Sequence, residues 1–253
     1  MESIKILNTR VDLVNVDDVH IFIKQTIKSG HRYVIGNLNI NAANIAYEQS
    51  WFLDFINRCP MVFCDGKGIQ LGAYLSGKSI PVQITYHTWM SQLLKFCEKN
   101  QYSLFFLGSK PGVYRGAIQK VLKKHPYLKI NGYHGYFNKH GEENRAVIEK
   151  INKFQPNILI VGFGMPLQEK WIMENEDKIQ TNIFLNGGAY LEWISGYQKQ
   201  APKWMTQTGF EWFYRLIREP RRLYKRYVIG NPLFIKRVIR ERIKDGKRNQ
   251  NLS

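Results

Sequence analysis

Residues 158–172 read ILIVGFGMPLQEKWI, and this stretch decides the fold. The largely apolar, β-branched run 157–161 is typical of a strand buried on both faces of a sheet. Gly162 and Gly164 allow the backbone to turn sharply, and Pro166 favours the start of a helix, which we predict over 168–176. A strand, a glycine turn and a helix N-terminus leave backbone N–H groups available to an anion such as a diphosphate, although other βα turns share part of this pattern.

The same alternation of strand and helix continues on both sides of this stretch. Short apolar runs predict strands at 4–11, 32–36, 61–64, 103–107, 129–133 and 183–185. Amphipathic stretches predict helices at 17–29, 42–49, 67–75, 85–99, 113–124 and 142–154. Strands that alternate with helices in this way indicate an α/β fold in which helices cover both faces of a parallel sheet.

Polar or glycine residues follow most of the predicted strands. In parallel sheets, ligands bind beyond the carboxyl ends of the strands. Because these loops are separate in sequence but meet at one edge of the sheet, their coincidence indicates a binding site there. The residues are Asn37, Asn39, Asp65, Gly108, His134, Gly162, Gly164, Gly187 and Gly188.

Side chains at this edge have both a functional and a structural interpretation. Asp65 is either a general base held over a substrate hydroxyl or the N-cap of the following helix, a position that aspartate favours. Gln168 is a candidate to hydrogen-bond a substrate hydroxyl, whereas Glu169 in a first helical turn is favoured by the helix dipole whatever the function. His134, beside Gly135, is either a phosphate ligand or a turn residue.

Familiar cofactor and metal motifs do not fit the sequence. Leu167 stands where the third glycine or alanine of G-x-G-x-x-G belongs, and Asn186 ends the next strand in place of an acidic residue, which argues against a dinucleotide-dependent dehydrogenase. We find no Walker A, H-E-x-x-H or G-x-S-x-G pattern and no metal-ligand spacing, so we predict no cofactor and no metal. Cys59, Cys64 and Cys97 are odd in number and indicate a reducing compartment.

The last quarter of the chain differs in composition. Of a net charge of +17, residues 196–253 contribute +11, from 15 Lys/Arg against 4 Asp/Glu. Helical patterns punctuated by proline run over 202–209, 211–219, 221–227 and 232–244, and basic residues there alternate with Trp, Phe and Tyr. We therefore predict a core over 1–195 and a helical, basic appendage over 196–253.

We expect a basic appendage of this kind to bind an anionic partner. Its helices either pack on the core and keep a solvated basic face, or they contact anionic lipid or a diphosphate. A nucleic-acid-binding protein and a noncatalytic nucleotide-sugar-binding protein are the alternatives, although no motif that reads nucleic acid is present. No secretory signal and no run of 18 apolar residues is visible, so we expect a protein that is soluble or lies on a membrane.

Several short motifs occur together, in a fixed order along nearly the whole chain. They are Asp65-Gly66 after an apolar strand, Phe106-Leu107-Gly108 with Pro111-Gly112, His134-Gly135-Tyr136-Phe137, VGFGMPLQE at 161–169, Asn186-Gly187-Gly188-Ala189, Ala201-Pro202-Lys203-Trp204, EWFYRL at 211–216, and Glu219-Pro220-Arg221-Arg222. As a set they are specific, and the chain resembles the WecG/TagA/CpsF family of bacterial glycosyltransferases.

The resemblance implies a Rossmann-like core with a helical C-terminal appendage. It implies an inverting transfer of a hexose or N-acetylhexosamine from a UDP-sugar to a sugar on a polyprenyl diphosphate lipid, without an essential metal. The reaction would take place on the cytoplasmic face of a bacterial membrane, with an anionic membrane surface as a further partner. It would serve the assembly of exopolysaccharide, capsule or teichoic acid. Whether the protein forms a homo-oligomer is left open.

The resemblance also assigns roles to residues. Asp65 corresponds to the proposed general base and Gln168 to a pocket residue, while arginines of the appendage complete the site over the diphosphates. Together with the loop ends, the predicted substrate-binding residues are Asn37, Asn39, Gly108, His134, Tyr136, Phe137, Gly162, Gly164, Gln168, Gly188, Arg215, Arg218, Arg221 and Arg222.

Two segments depart from the family pattern. The pattern Leu-Pro-x-Arg-x-Thr-Gly-x-Asp-Leu corresponds to residues 80–89, where Gln83, Tyr86 and Thr88 replace the arginine, the glycine and the aspartate. The usual Thr-x-Asn is Asn37-Leu38-Asn39 here. N-acetylmannosamine, its uronic acid and glucose are all used within the family, so these differences leave the donor sugar open.

Overall fold

A computed structural model describes residues 1–188, 190–197, 201–202, 205 and 211–250. The strands are β1 (Ser3–Ile6), β2 (Thr9–Asp12), β3 (Tyr33–Leu38), β4 (Met61–Cys64), β5 (Leu104–Gly108), β6 (Ile130–Tyr133), β7 (Ile158–Gly162) and β8 (Ile183–Asn186). The helices before the appendage are α1 (Val16–Ser29), α2 (Ile40–Glu48), α3 (Ser50–Arg58), α4 (Lys67–Leu75), α5 (Tyr86–Asn100), α6 (Val113–Lys124), α7 (Gly141–Phe154), α8 (Leu167–Asn175) and α9 (Tyr190–Ser195).

Six strands form one sheet in the order β4-β3-β8-β7-β5-β6, and β1 and β2 form a separate antiparallel hairpin. The pairs β3–β8, β8–β7, β7–β5 and β5–β6 are all parallel. Residues 104–107 of β5 are fully buried, and residues 158–161 of β7 are nearly so, as expected of strands covered on both faces. The predicted α/β class, a Rossmann-like and mostly parallel sheet flanked by helices, is confirmed.

Most element bounds follow the prediction, and the differences are local. β3 continues to Leu38, so Asn37 lies within the strand rather than in the loop after it. Helix α3 was not predicted, although its buried residues Phe52, Phe55 and Ile56 have helical spacing. It follows α2 after the single residue Gln49, whose extended backbone is the only break between the two helices. The short helix α9 was also not predicted.

The helices of the appendage are α10 (Glu211–Arg218), α11 (Pro220–Tyr224) and α12 (Gly230–Gln250), and a π-helical turn over Lys225–Ile229 joins the last two. Pro232 lies in the first turn of α12. The predicted helix over 202–209 lies almost wholly outside the described residues. Within the described part of the chain, no helix is long and apolar enough to cross a membrane.

Residue contacts divide the chain into two compact units. Unit one comprises residues 1–15, 37–85 and the described part of 200–253, and unit two comprises residues 16–36 and 86–199. Unit one therefore joins the C-terminal helices to α2, α3, β4 and α4. The domain boundary between residues 195 and 196 stays a prediction.

Helix α12 is docked within unit one against α2 and α4. Phe234 of α12 is 0% exposed and lies against Gly72 of α4, where a Cβ atom would leave it no room. Arg237 donates to Asn44 Oδ1 at 2.9 Å and to Glu48 Oε1 at 2.6 Å. Of the two interpretations of the tail, packing on the body of the protein therefore describes α12.

This docking predicts the effect of shortening Phe234. Phe234→Ala should lower the free energy of unfolding by about 3–5 kcal/mol, because it removes a fully buried ring and leaves a cavity. Ile239→Ala on the same helix is the matched control, since Ile239 is 43% exposed and its loss should cost little. Urea unfolding monitored by circular dichroism measures both. Equal effects of the two substitutions would contradict the docking of α12.

Candidate functional site

The carboxylate of Asp65 lies directly after β4 and is held by two asparagine side chains. Asn37 Nδ2 donates to Asp65 Oδ2 at 3.0 Å, and Asn39 Nδ2 donates to the same oxygen at 3.2 Å. The backbone N–H of Asp65 donates to Leu38 O at 2.8 Å, which fixes the end of β4 beside the end of β3. Asp65 is half-buried. Two donors on one oxygen orient the carboxylate plane within unit one.

The position of Asp65 is not that of a helix cap. Gly66, with a φ of 103°, occupies the N-cap position of α4. The capping asparagine is Asn39, whose Oδ1 accepts from Ala42 N at 3.0 Å at the start of α2. Asn39 thus uses its oxygen to cap a helix and its nitrogen to bind Asp65. The structural interpretation of Asp65 as an N-cap is therefore wrong.

Asn37 is a second polar group buried at this edge. It is 1% exposed, its nitrogen binds Asp65, and its Oδ1 has no hydrogen-bond partner among the described residues. An unpaired carbonyl oxygen in such a position costs free energy unless a ligand or water donates to it. This supports the prediction that Asn37 belongs to the substrate site.

The segment that departs from the family pattern lies against the same strand end. Ile84 N donates to Cys64 O at 2.8 Å, directly before Asp65. Gln83, which replaces the family arginine, is half-buried, and its Oε1 lacks a hydrogen-bond partner among the described residues. Burial, with a further contribution from the charge of Asp65, raises the pKa of the Cys64 thiol to about 12, so this thiol stays protonated.

The appendage supplies positive charge in unit one through a residue that we did not predict, Arg226. Arg226 lies in the π turn and is half-buried. Burial lowers its pKa, Tyr227 and Asp65 oppose this shift, and the charges of Arg215 and Arg222 add to it. Arg226 therefore interacts electrostatically with Asp65 and with the charges of Arg215 and Arg222. In the sequence, Arg226 is one of many basic residues of the appendage, and nothing there distinguishes it from the others.

The other two predicted arginines have different surroundings. Arg218 is exposed and donates to Tyr214 OH at 3.3 Å, one helical turn away. Arg221 is also exposed, whereas Arg222 forms an ion pair with Glu219. A role of Arg218 and Arg221 in substrate binding stays a prediction.

In unit two, the backbones at the carboxyl ends of the strands approach each other too closely for side chains. A Cβ atom on Gly108 of β5 would lie 2.6 Å from Gly162 O of β7, and one on Gly162 would collide with Gly188 O after β8. Gly164 and Gly188 have φ angles of 85° and 53°, which glycine adopts without strain. The predicted glycines thus form one continuous strip at this edge.

Gln168 and Glu169 are both buried behind the central turn. Gln168 Oε1 accepts from Gly164 N at 3.1 Å, and its Nε2 donates to Glu169 Oε1 at 2.8 Å. The side chain of Gln168, 1% exposed, therefore holds the glycine turn in shape. A direct contact of Gln168 with substrate stays a prediction.

The loop after β6 carries the other predicted residues. His134 stacks on Tyr133, with ring centroids 4.2 Å apart, and its Nδ1 accepts from Tyr136 N at 3.3 Å. Tyr136 is exposed. The ring of Phe137 packs edge to face with that of Phe163 in the central turn, with the two centroids 5.8 Å apart. The structure thus brings this loop to the glycine turn.

Some predicted features have no description or no new support. Ala189, Lys203 and Trp204 of the matched motifs lie outside the described residues. Within the described ranges, no three His, Cys, Asp or Glu residues are grouped so that they could hold a metal ion. The three cysteines are buried and are present as thiols.

Comparison with known proteins identifies the class. The model of the "Glycosyl transferase WecG/TagA/CpsF family" matches residues 4–248. The chain is 25% identical over 244 residues to an N-acetylglucosaminyldiphosphoundecaprenol N-acetyl-beta-D-mannosaminyltransferase of Staphylococcus aureus strain MW2, which covers 93% of this chain and 94% of the relative. The protein of the same name from strain NCTC 8325 / PS 47 has the same identity and coverage.

The protein is therefore a glycosyltransferase built on a Rossmann-like fold. It belongs to the WecG/TagA/CpsF family. The resemblance stated from the sequence motifs is confirmed.

The glycine strip predicts a sharp difference between two glycine-to-alanine substitutions in unit two. Gly162→Ala should lower the free energy of unfolding by roughly 1–3 kcal/mol, because the new methyl group would push against the backbone of Gly188. Gly116→Ala in the interior of α6 meets nothing within 4 Å and should raise the stability by about 0.5–1 kcal/mol. Chemical denaturation measures both, and a neutral Gly162→Ala would contradict the close approach.

Proposed function

We propose that the protein is an inverting glycosyltransferase that moves a hexose or N-acetylhexosamine from a UDP-sugar to a sugar on a polyprenyl diphosphate lipid, with Asp65 as general base. The observation that carries this proposal is the carboxylate of Asp65, oriented at a strand end by Asn37 and Asn39. The names of the relatives, which describe transfer of N-acetylmannosamine to N-acetylglucosaminyl-diphosphoundecaprenol, support the choice of a lipid-linked acceptor in cell-wall polysaccharide assembly.

The proposed reaction is a single displacement. Asp65 accepts the proton of the acceptor hydroxyl while that oxygen forms a bond to the anomeric carbon. The bond between the anomeric carbon and the diphosphate oxygen breaks on the opposite side, and UDP leaves with the electron pair. Attack and departure on opposite faces invert the configuration. The amide groups of Asn37 and Asn39 keep the base in one orientation throughout.

Charge develops on the diphosphate as the bond breaks, and positive groups stabilise it. In unit one, Arg226 interacts electrostatically with Asp65, Arg215 and Arg222, so we assign the diphosphate-binding role of the appendage to these three arginines. In unit two, the strip of Gly108, Gly162 and Gly188 lets a ligand approach the backbone.

Replacing the base tests the mechanism. Asp65→Asn should lower kcat by roughly 10²–10⁴-fold, because the amide cannot accept the proton, while UDP binding persists. The matched control is Asp54→Asn, since Asp54 is an exposed residue of α3. Product formation is read by mass spectrometry with a panel of UDP-sugars and short-chain lipid-diphosphate-sugar acceptors. A near-normal kcat for Asp65→Asn would refute the assignment of the base.

We further propose that the protein works as a peripheral protein on the cytoplasmic face of the membrane, where a lipid-linked acceptor is presented. Phe213 and Ile217, one turn apart on α10, are 45% and 64% exposed. Exposed apolar residues beside the exposed Arg218 and Arg221 have the composition of an interfacial helix. This supports a membrane role for these two arginines.

The membrane proposal predicts a charge-dependent loss of binding. The double variant Arg218→Gln/Arg221→Gln should bind anionic vesicles about tenfold more weakly or worse, since each basic residue near a membrane contributes about 1 kcal/mol. The variant Lys123→Gln/Lys124→Gln makes the same charge change at exposed positions of α6 and should bind normally. Vesicle co-sedimentation at low and high salt measures the effect, and equal losses in both double variants would argue against the assignment.

A further inference from the structure

Lys139, which follows the His134–Phe137 motif, is a cation at the edge of unit two that the proposed reaction does not yet use. Its Nζ donates to Gly135 O at 2.6 Å and to Phe137 O at 2.9 Å. The same atom lies 3.7 Å from the ring centroid of Phe137 and 4.3 Å from that of Phe163. Phe163 stands between the two glycines of the central turn, so the ammonium group is fixed beside that turn.

The ammonium group of Lys139 has more donors than acceptors. A lysine carries three N–H donors, and among the described residues only the two carbonyl oxygens accept from it. Glu143, at the start of α7, acts on it only through its charge. Burial lowers the pKa of Lys139 to about 8, which is the behaviour of a partly desolvated cation without an anionic hydrogen-bond partner.

Ser109, after β5, is a second donor without an acceptor at the same place. It is 7% exposed, and its Oγ has no hydrogen-bond partner among the described residues. Gly135 connects the two groups, because its N–H donates to Ser109 O at 2.8 Å and its carbonyl oxygen accepts from Lys139. A hydroxyl and an ammonium N–H that both lack acceptors around one glycine suit an anionic oxygen.

We infer that Lys139, assisted by Ser109, binds the diphosphate group of a substrate at the edge of unit two. This inference rests on the proposed function, because it concerns the same substrates. The aromatic rings of Phe137 and Phe163 and the two carbonyl oxygens hold the ammonium group in place, and the diphosphate oxygen becomes the acceptor of its third N–H. Both the UDP-sugar and the lipid-linked acceptor carry a diphosphate group, so the inference applies to either substrate.

The inference has a thermodynamic consequence that can be measured. An anion beside Lys139 favours its charged form, so binding raises the pKa of this lysine and draws in a proton when the free protein is partly deprotonated. The diphosphate affinity is then complete below pH 8 and falls as the pH rises above 8. A ligand without phosphate lacks this contribution. The imide N3–H of the uracil ring is itself lost at alkaline pH, so the dependence that reports Lys139 is that of UDP relative to uridine.

The test is isothermal titration calorimetry of the full-length protein with UDP, uridine and a short prenyl diphosphate. At pH 7.5, Lys139→Met should weaken UDP binding by about tenfold or more, the magnitude expected for a charge-assisted hydrogen bond, and leave uridine binding unchanged. Between pH 8 and 9.5 the wild-type Kd for UDP should rise by up to about tenfold per pH unit. Lys139→Met should remove this rise in Kd. Lys139→Arg should keep the positive charge, and because a guanidinium group stays protonated, the rise should move above the measured pH range.

The controls separate this lysine from its neighbours. Lys153→Met removes an exposed lysine of α7 and should leave Kd and its pH dependence unchanged. His134, Tyr136, His140 and Glu143 are all present in Lys139→Met. A pH dependence of UDP binding relative to uridine that persists in this variant therefore comes from them and overturns the inference. If Lys139→Met does not fold, proton uptake by the wild type decides, measured at pH 8.5 in buffers of different ionisation enthalpy.

The outcomes also distinguish the two proposals and the two sources of diphosphate. Loss of binding confined to UDP identifies the donor, and loss confined to the prenyl diphosphate identifies the acceptor. If Lys139→Met binds UDP and the prenyl diphosphate as tightly as the wild type does, the inference is overturned and the proposed function stays intact. A wild-type protein that binds neither UDP nor the prenyl diphosphate overturns both.

Discussion

The close approach of the backbone at the carboxyl ends of β5, β7 and β8 is the constraint on which the edge of unit two depends. A Cβ atom on Gly108 would collide with the backbone of Gly162, and one on Gly162 with the backbone of Gly188, so the strip is bare backbone. Bare backbone brings N–H groups and carbonyl oxygens to the surface that side chains would otherwise cover. Phe163, directly after Gly162, is then placed to receive the ammonium group of Lys139. One steric requirement therefore shapes both the turn and the position of the nearest cation.

The sequence predicts those parts of the fold that depend on local periodicity. Helix α6 and strand β4 begin and end at the predicted residues, because their apolar pattern is bounded by glycine, proline or charged residues. Helix α3 was not predicted because Gln49 alone separates it from α2, and no glycine or proline marks the break between the two helices. Asp65 was predictable from its place after a buried strand. Its orientation was not, because it depends on amide groups that lie 28 and 26 residues away.

The partly buried cations Arg226 and Lys139 were harder to predict than Asp65, for two physical reasons. Arg226 lies in a π turn, and one extra residue in a helical turn rotates the following side chains, so a 3.6-residue period no longer gives their direction. The environment of the Lys139 ammonium group depends on Phe163, which is 24 positions away along the chain and contacts it only in the folded protein. In both cases the sequence shows the charge, and only tertiary structure shows that the charge is partly buried.

Partial burial distinguishes these two cations from the exposed ones. Arg221 and Lys225 are exposed and solvated, so they cost the fold little and act over a Debye length on any anionic surface. Burial disfavours the charged forms of Lys139 and Arg226, as their lowered pKa values show, and the free protein bears this cost as lost stability. An anion that binds beside them relieves the cost. Affinity for a diphosphate is then coupled to stability, because a ligand that binds only the folded state shifts the folding equilibrium towards it. The exposed charges can bring the protein to an anionic surface, whereas the buried ones make it favour a substrate that carries negative charge.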